Sequence, residues 1–442
     1  MSYVAPPLLH QQLFSLDHAA WVDLLATTEN LLIIQDLDGV CMGLVKDPLD
    51  RVVEIGYLEA TQRFDSHFYV LTNGEHTGKR GMNGIIERSL GGAELAQLGR
   101  YYLPGLAAGG VQWQTRAGDI SHPGVSEVEL AFLAAVPAKM GDRLRHFFKQ
   151  HPSALPAPDL EQAIQASVLD NMASPTANLN TFHGLLSDQP EVYVALQQAM
   201  QELMEDLLRD AASQGLNGSF FVHYAPNHGR GPDGTEILWF GQGGESGTTD
   251  FQFMLRGAIK EAGVLALLNR YYAARTGSYP LGEDFSVRQA PHSHSELLDL
   301  VNQNFDPALM PTLVGVGDTV TSVVVTEDGQ PVAKRGGSDR NFLHLIQAIG
   351  QQFGTGNLVT YVDSSGGELK NRKALRMEDR RGTSVVVEGP GDARDGDDPL
   401  VLNVVFPGGY RQYCQAFQTA AARRPLTIKQ SETMTLANHS ES

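Results

Sequence analysis

Apolar residues recur along this chain in two rhythms. Short unbroken runs of four or five, rich in β-branched side chains, stop abruptly at Asp, Asn or Gly. Longer stretches carry apolar positions three and four residues apart. The first rhythm is that of strands buried on both faces, the second that of amphipathic helices. Residues 31–34 (LLII) form the first run, and it breaks into Asp36-Leu37-Asp38-Gly39. A helix is expected before it, over 16–28. After it, Val53, Tyr57, Ala60 and Phe64 predict a helix within 50–64, and HFYVLT at 67–72 predicts a second strand. A helix through 85–90 then completes a β-α-β-α opening, which implies a parallel sheet.

Further along, 101–113 and 119–122 predict strands with a Gly-rich turn between them. From about Gly124 the pattern turns helical. Val192, Leu196, Met200, Leu203 and Leu207 share one face of a helix over 190–212. Strands are expected at 218–225 and 235–240. Another short run follows at 251–255, then a helix over 259–272 and a turn-rich stretch over 273–310. The run 313–316, followed by Gly317 and Asp318, repeats the logic of the first strand. Beyond it, 321–326 predicts a strand, 341–352 a helix, and 359–362, 384–387 and 400–406 late strands. The organisation expected is a core built from 1–123 and 251–423, interrupted by an α+β domain at 124–250. An acidic Gly-rich loop spans 388–399, and 424–442 is expected to be a disordered tail.

Composition narrows the function classes. The 442 residues exceed one ordinary core, and 42% hydrophobic with 19% charged residues describes a globular chain. No apolar run approaches the roughly 20 residues of a membrane span. The first residues lack the basic-then-apolar pattern of a secretory signal, and two cysteines exclude a disulfide framework. Together these point to the cytoplasm. A formal charge of −18 argues against nucleic acid as a partner.

Three predicted strands end in candidate chemistry: Asp36 with Asp38, Thr72 in Thr72-Asn73-Gly74, and Asp318. In a parallel sheet such ends lie side by side, and ligands bind there. One Asp can act as a nucleophile and a second as acid and base. Clustered carboxylates repel unless a cation joins them, and magnesium suits an all-oxygen set completed by waters and substrate phosphate. Lys260, at the start of a helix directly after a strand, is placed to balance phosphate charge. His223, at the end of a strand, and Glu245, in a polar Gly-rich loop, are candidate contacts to a substrate. His292 and His294 are expected to be loop residues and not a metal pair.

QDLDGV, VLTNG, the helix bearing Lys260 and GVGDTVTS together resemble, in order, the four motifs of haloacid-dehalogenase-type phosphatases. LPGLAAGGVQW and IKEAGVLALLNRYY are similar to segments of trehalose- and sucrose-phosphate phosphatases. TENLLIIQDLDGVCMGLVKDPL, YVLTNGEHTGKRG and YLPGLAAGGVQWQ resemble the glucosylglycerol-phosphate phosphatases, a salt-tolerance family of cyanobacteria. The resemblance implies a Rossmann-like haloacid-dehalogenase core with an inserted C2-type cap at 124–250. It implies Asp36 as nucleophile, Asp38 as acid and base, and Thr72, Asn73 and Lys260 as phosphate ligands. Magnesium would be held by Asp36, the Asp38 backbone carbonyl and Asp318. The substrate implied is glucosylglycerol 3-phosphate, with a glucosylglycerol-phosphate synthase as a possible partner. Sucrose or trehalose phosphates, and a non-catalytic sugar-phosphate-binding regulator, stand as alternatives. The chain departs from the pattern in its fourth motif, where Thr319 and Ser322 stand at positions that commonly carry a second acid. The spacing from Lys260 to Asp318 is also longer than usual.

Overall fold

The computed structural model describes residues 7–45, 48–78, 80–231, 235–368 and 372–425. The expected tail beyond 425 lies outside them. The chain forms two compact units. The first comprises Met1–Gly74, Met82–Pro123 and Ile259–Ser442, the second Glu75–Gly81 and Gly124–Ala258.

The first unit is built on an eight-stranded sheet. Its order runs Val404–Phe406, Leu358–Val362, Thr312–Gly317, Leu31–Gln35, Phe68–Leu71, Gly105–Ala107, Gln112–Gln114, Ile120–Ser121. The first six strands are parallel and the last two antiparallel. Leu31–Gln35 is central and wholly buried, as an apolar run with neighbours on both edges must be. Leu31 and Ile33 pack with Trp21, Tyr57 and Phe417 from the helices His18–Thr27, Ile55–Phe64 and Gly409–Arg423. The other face carries Lys260–Thr276 and Arg340–Phe353. The second of these lies so close that a Cβ on Gly315 would come within 2.8 Å of Ile346 and Leu343.

Five elements in this unit were absent from the expected pattern, among them the short helix Ala93–Leu98 and the strand Arg376–Arg380, which pairs with Thr383–Glu388. His294–Asn304 is a helix inside the turn-rich stretch, capped where Ser293 accepts the Glu296 N–H. Gly409–Arg423 is a helix whose buried face, Tyr413, Phe417, Ala420 and Ala421, is diluted by polar neighbours. The strand Thr321–Glu327 is one arm of a hairpin whose other arm, Gln330–Gly336, is too polar to read as a strand.

The second unit is a four-stranded antiparallel sheet ordered Val168–Leu169, Thr176–Asn178, Asp250–Leu255, Phe220–Ala225. Two 24-residue helices, Glu127–Gln150 and Pro190–Ser213, accompany it. Ser126 and Glu129 close a capping box on the first, and Phe132 stacks on Phe220 with ring centroids 5.3 Å apart. Asp250–Leu255 corrects the expected boundary. Placed at the start of the second core segment from sequence, it belongs to this sheet and pairs on both edges. Its alternation explains why: Phe251, Phe253 and Leu255 are buried while the residues between them are half-buried, as in a sheet covered on one face. Glu75 also belongs here. Its buried carboxylate accepts the backbone N–H groups of Met172, Ala173 and Ser174 at 2.7–3.0 Å.

Candidate active site

Register brings the first two carboxylates together. Gln35 pairs with Val316, and the Asp36 N–H continues the ladder by donating to the Val316 carbonyl at 2.9 Å. Asp36 and Asp318 therefore leave adjacent strands at the same end of the sheet. Gln35 is buried yet satisfied: it donates to the Tyr57 hydroxyl and accepts from the Tyr413 hydroxyl, both at 2.6 Å. The chain then turns sharply through Gly39, at φ +76°. A Cβ there would sit 2.3 Å from Asp318 Oδ2, so the turn needs glycine for both its backbone and its closeness.

Thr72 ends the neighbouring strand and is buried, with its hydroxyl accepting the Gly74 N–H at 3.2 Å. Asn73 is exposed beside it. Lys260 is the first residue of its helix and is buried. Its Nζ lies 2.9 Å from Asp36 Oδ1.

A residue that the sequence reading did not single out completes the group. Asp339 is fully buried, and its Oδ1 accepts from Lys260 Nζ at 2.6 Å. Its Oδ2 accepts the N–H groups of Asp318 and Thr319 at 2.9 and 3.0 Å. Asp339 stands 21 positions beyond Asp318, and the hairpin 321–336 lies between them. Thr319 serves differently: its hydroxyl donates to Asp318 Oδ1 at 2.6 Å and accepts from Arg372 at 3.0 Å. Ser322 donates to Asp395, away from the carboxylates. The sequence offers one arm and the turn of that hairpin, Asp328-Gly329 with both residues at positive φ, but nothing that points to Asp339 itself.

Among the described residues, Asp36, Asp318 and Asp339 form the group of acids able to hold a metal, with ligand oxygens within 4.8 Å of one another. Burial, and then the charge of Asp339, pushes the Asp36 carboxyl up to about 8, against the pull of Lys260. The same two causes push Asp318 up to about 6. Burial raises Asp38 as well, opposed by Arg51, whose Nε lies 3.2 Å from Asp38 Oδ1. Burial disfavours the charge on Lys260, but Asp339 and Asp36 outweigh it and its pKa rises. The site is short of positive charge: the Lys260 ammonium, with the Arg372 guanidinium 3.6 Å from Asp318 Oδ2, faces three buried carboxylates. A hard divalent cation with oxygen ligands fits that deficit.

His223 and Glu245 belong to the second unit. His223 Nδ1 contacts Glu236 Oε2 at 2.8 Å. Glu245 is exposed in a tight turn, where it exchanges backbone hydrogen bonds with Gln242. His294 stacks on His344 with centroids 4.3 Å apart, and His292 is exposed.

Comparison with known proteins gives three findings. A family model described as glucosylglycerol-phosphate phosphatase matches residues 30–421. A glucosylglycerol-phosphate phosphatase from Synechocystis sp. is 60% identical over 423 residues, spanning 96% of this chain and 100% of that protein. Among solved structures, trehalose-6-phosphate phosphatase from Aspergillus fumigatus is 10% identical, with a TM-score of 0.37, covering 93% of this chain and 99% of that one. The C-terminal domain of the Candida albicans enzyme gives 10% identity and a TM-score of 0.41, over 93% and 98%.

Proposed function

We propose, on the premise that this chain belongs to the glucosylglycerol-phosphate phosphatase family, that it hydrolyses glucosylglycerol 3-phosphate to glucosylglycerol and phosphate. The observation that carries the reading is the cluster itself: Asp36 and Asp318 at the ends of adjacent parallel strands, with Lys260 and Asp339 brought to them from the starts of two helices. In this reading Asp36 attacks phosphorus. The bond from phosphorus to the glycerol oxygen breaks as Asp38 gives that oxygen a proton. Water then attacks the phosphorus of the aspartyl-phosphate as Asp38 takes a proton from it, and the bond from phosphorus to the Asp36 oxygen breaks, releasing phosphate and restoring the carboxylate. Thr72 and the Asn73 N–H hold phosphoryl oxygens, and Lys260 offsets their charge. Asp339 fixes Lys260 and the backbone of Asp318.

A magnesium ion held by Asp36, the Asp38 backbone carbonyl and Asp318 would supply counter-charge to the phosphoryl oxygens. His223 and Glu245 are proposed contacts to the hydroxyls of the glycoside. The product would serve as a compatible solute in salt tolerance, with a glucosylglycerol-phosphate synthase supplying the substrate. Among the described residues no helix is long and apolar enough to cross a membrane, which suits a soluble substrate. The test is phosphate release, with and without magnesium, from glucosylglycerol 3-phosphate, sucrose 6-phosphate and trehalose 6-phosphate. The reading expects magnesium-dependent turnover of the first. Preference for either disaccharide phosphate would replace the substrate, and no release from any would replace the activity.

A further inference from the structure

We infer that Arg51 is the positioning residue for Asp38, aiming its carboxyl for proton transfer to the leaving group. The inference rests on the reading of Asp38 as acid and base. Arg51 follows the short turn Pro48–Asp50 and precedes the helix Ile55–Phe64. Its side chain is 20% exposed, and that of Asp38 is 30% exposed. Arg51 Nε lies 3.2 Å from Asp38 Oδ1 and makes no aligned hydrogen bond among the described residues, so this is a contact of charges.

The other oxygen faces elsewhere. A Cβ built on Gly74 would stand 4.0 Å from Asp38 Oδ2 and 3.7 Å from Thr72 Oγ1. Asp38 therefore has one oxygen on a cation and the other toward the Thr72–Gly74 turn. The terminal torsion of an aspartate is broad and weakly set by its own sterics. A guanidinium on Oδ1 removes that freedom and leaves Oδ2 as the proton-transferring atom. Lys260 does not do this, since its contacts are Asp36 and Asp339.

The local packing suits a positioning role. Leu49 and Val52 are exposed, at 46% and 67%, and Val53 anchors the segment in the core. Arg51 is thus held at the site while contributing little to the core, so its replacement leaves the fold standing.

The proton matters in one step more than in another. A glycerol oxygen leaves as a poor anion unless protonated as its bond to phosphorus breaks. A 2,4-dinitrophenolate leaves without a proton. The water that hydrolyses the aspartyl-phosphate must lose a proton whichever group has left. Misaiming Asp38 should therefore slow formation of the aspartyl-phosphate from the glycoside, spare its formation from the aryl ester, and slow its hydrolysis in both cases.

The experiment compares wild type, Arg51→Gln and Arg51→Lys on glucosylglycerol 3-phosphate and 2,4-dinitrophenyl phosphate, with Asp38→Asn as control. Positioned acid–base catalysis is worth about 10²–10⁴-fold, so Arg51→Gln should lower kcat/KM for the glycoside by roughly 10- to 100-fold. For the aryl ester kcat/KM should hold within about threefold, since no proton transfer is needed. The same variant should release a burst of one equivalent of dinitrophenolate before a slower steady rate. Arg51→Lys should recover part of the loss. Equal losses on both substrates without a burst, or a rise in KM alone, would overturn the inference. Asp38→Asn separates the two levels. If it shows the leaving-group selectivity and Arg51→Gln does not, the assignment of Arg51 falls and Asp38 keeps its role. If Asp38→Asn is itself unselective, the acid–base reading falls and takes the inference with it.

Discussion

Lys260 Nζ meets Asp339 Oδ1 at 2.6 Å across 79 positions of sequence, and the same nitrogen lies 2.9 Å from Asp36 Oδ1. One buried cation thus ties the end of the first core strand to a carboxylate that also holds the Asp318 backbone. Each of the two early aspartates has its own cation, Lys260 for Asp36 and Arg51 for Asp38.

Asp339→Asn tests that tie. The amide keeps an acceptor for the Asp318 and Thr319 N–H groups but removes one of three repelling charges. The loss of stability should be smaller than the roughly 3–5 kcal/mol of a fully stranded buried ion, because Asp36 still compensates Lys260. Turnover should fall by about 100-fold, as expected when reacting groups lose their alignment. Thermal unfolding and phosphate release on one preparation check both. A collapse of stability with no loss of activity per folded molecule would make Asp339 structural alone.

Gly39→Ala should act at the same place by crowding. The left-handed backbone costs an alanine roughly 1–2 kcal/mol, and its Cβ would press on Asp318 Oδ2. Activity should fall further than stability, and the magnesium concentration for half-maximal activity should rise. An unchanged magnesium dependence would count against Asp318 as a metal ligand.

His344 gives the protein a sensitivity to acid away from the site. Burial first, then the neighbouring His294 and Arg340, lowers its pKa from 6.5 to about 4, with Asp398 opposing. In the unfolded chain it would titrate near its ordinary value. Between those values the unfolded state binds more protons, so stability rises with pH there. The contribution is complete above about 6.5 and is lost as pH falls toward 4. His344→Phe keeps a ring against His294 and removes the titration. Its melting temperature should depend less on pH over that window than the wild type's. Parallel curves would show that His344 does not contribute.

The glycoside should matter to the rate as well as to binding. Glucosylglycerol 3-phosphate should exceed glycerol 3-phosphate in kcat/KM by about 100-fold, or roughly 2.7 kcal/mol of differential transition-state binding. Comparable values would mean that the sugar is not read, and the assigned substrate would lose its support.

The central sheet was legible because its strands are fully buried runs that stop at polar residues. Leu31–Gln35 and Thr312–Gly317 announce Asp36 and Asp318 in that way. Asp339 was hidden because a hairpin separates it from Asp318, and Thr319 and Ser322 occupy the positions where an acid was sought. Arg51 was hidden for a different reason: it lies outside any periodic element, and its pairing with Asp38 exists only in three dimensions. Asp250–Leu255 was legible as a strand but not as to its sheet, since a short apolar run does not state its neighbours.

The measurement that bears most directly on the account is phosphate release from glucosylglycerol 3-phosphate by Asp36→Asn beside the wild type, at saturating magnesium. The amide is nearly isosteric and cannot readily attack phosphorus. The account predicts magnesium-dependent release by the wild type, none measurable by the variant, and a fold retained in both. Retention of more than a few per cent of the wild-type rate by a clean preparation of the variant would contradict it.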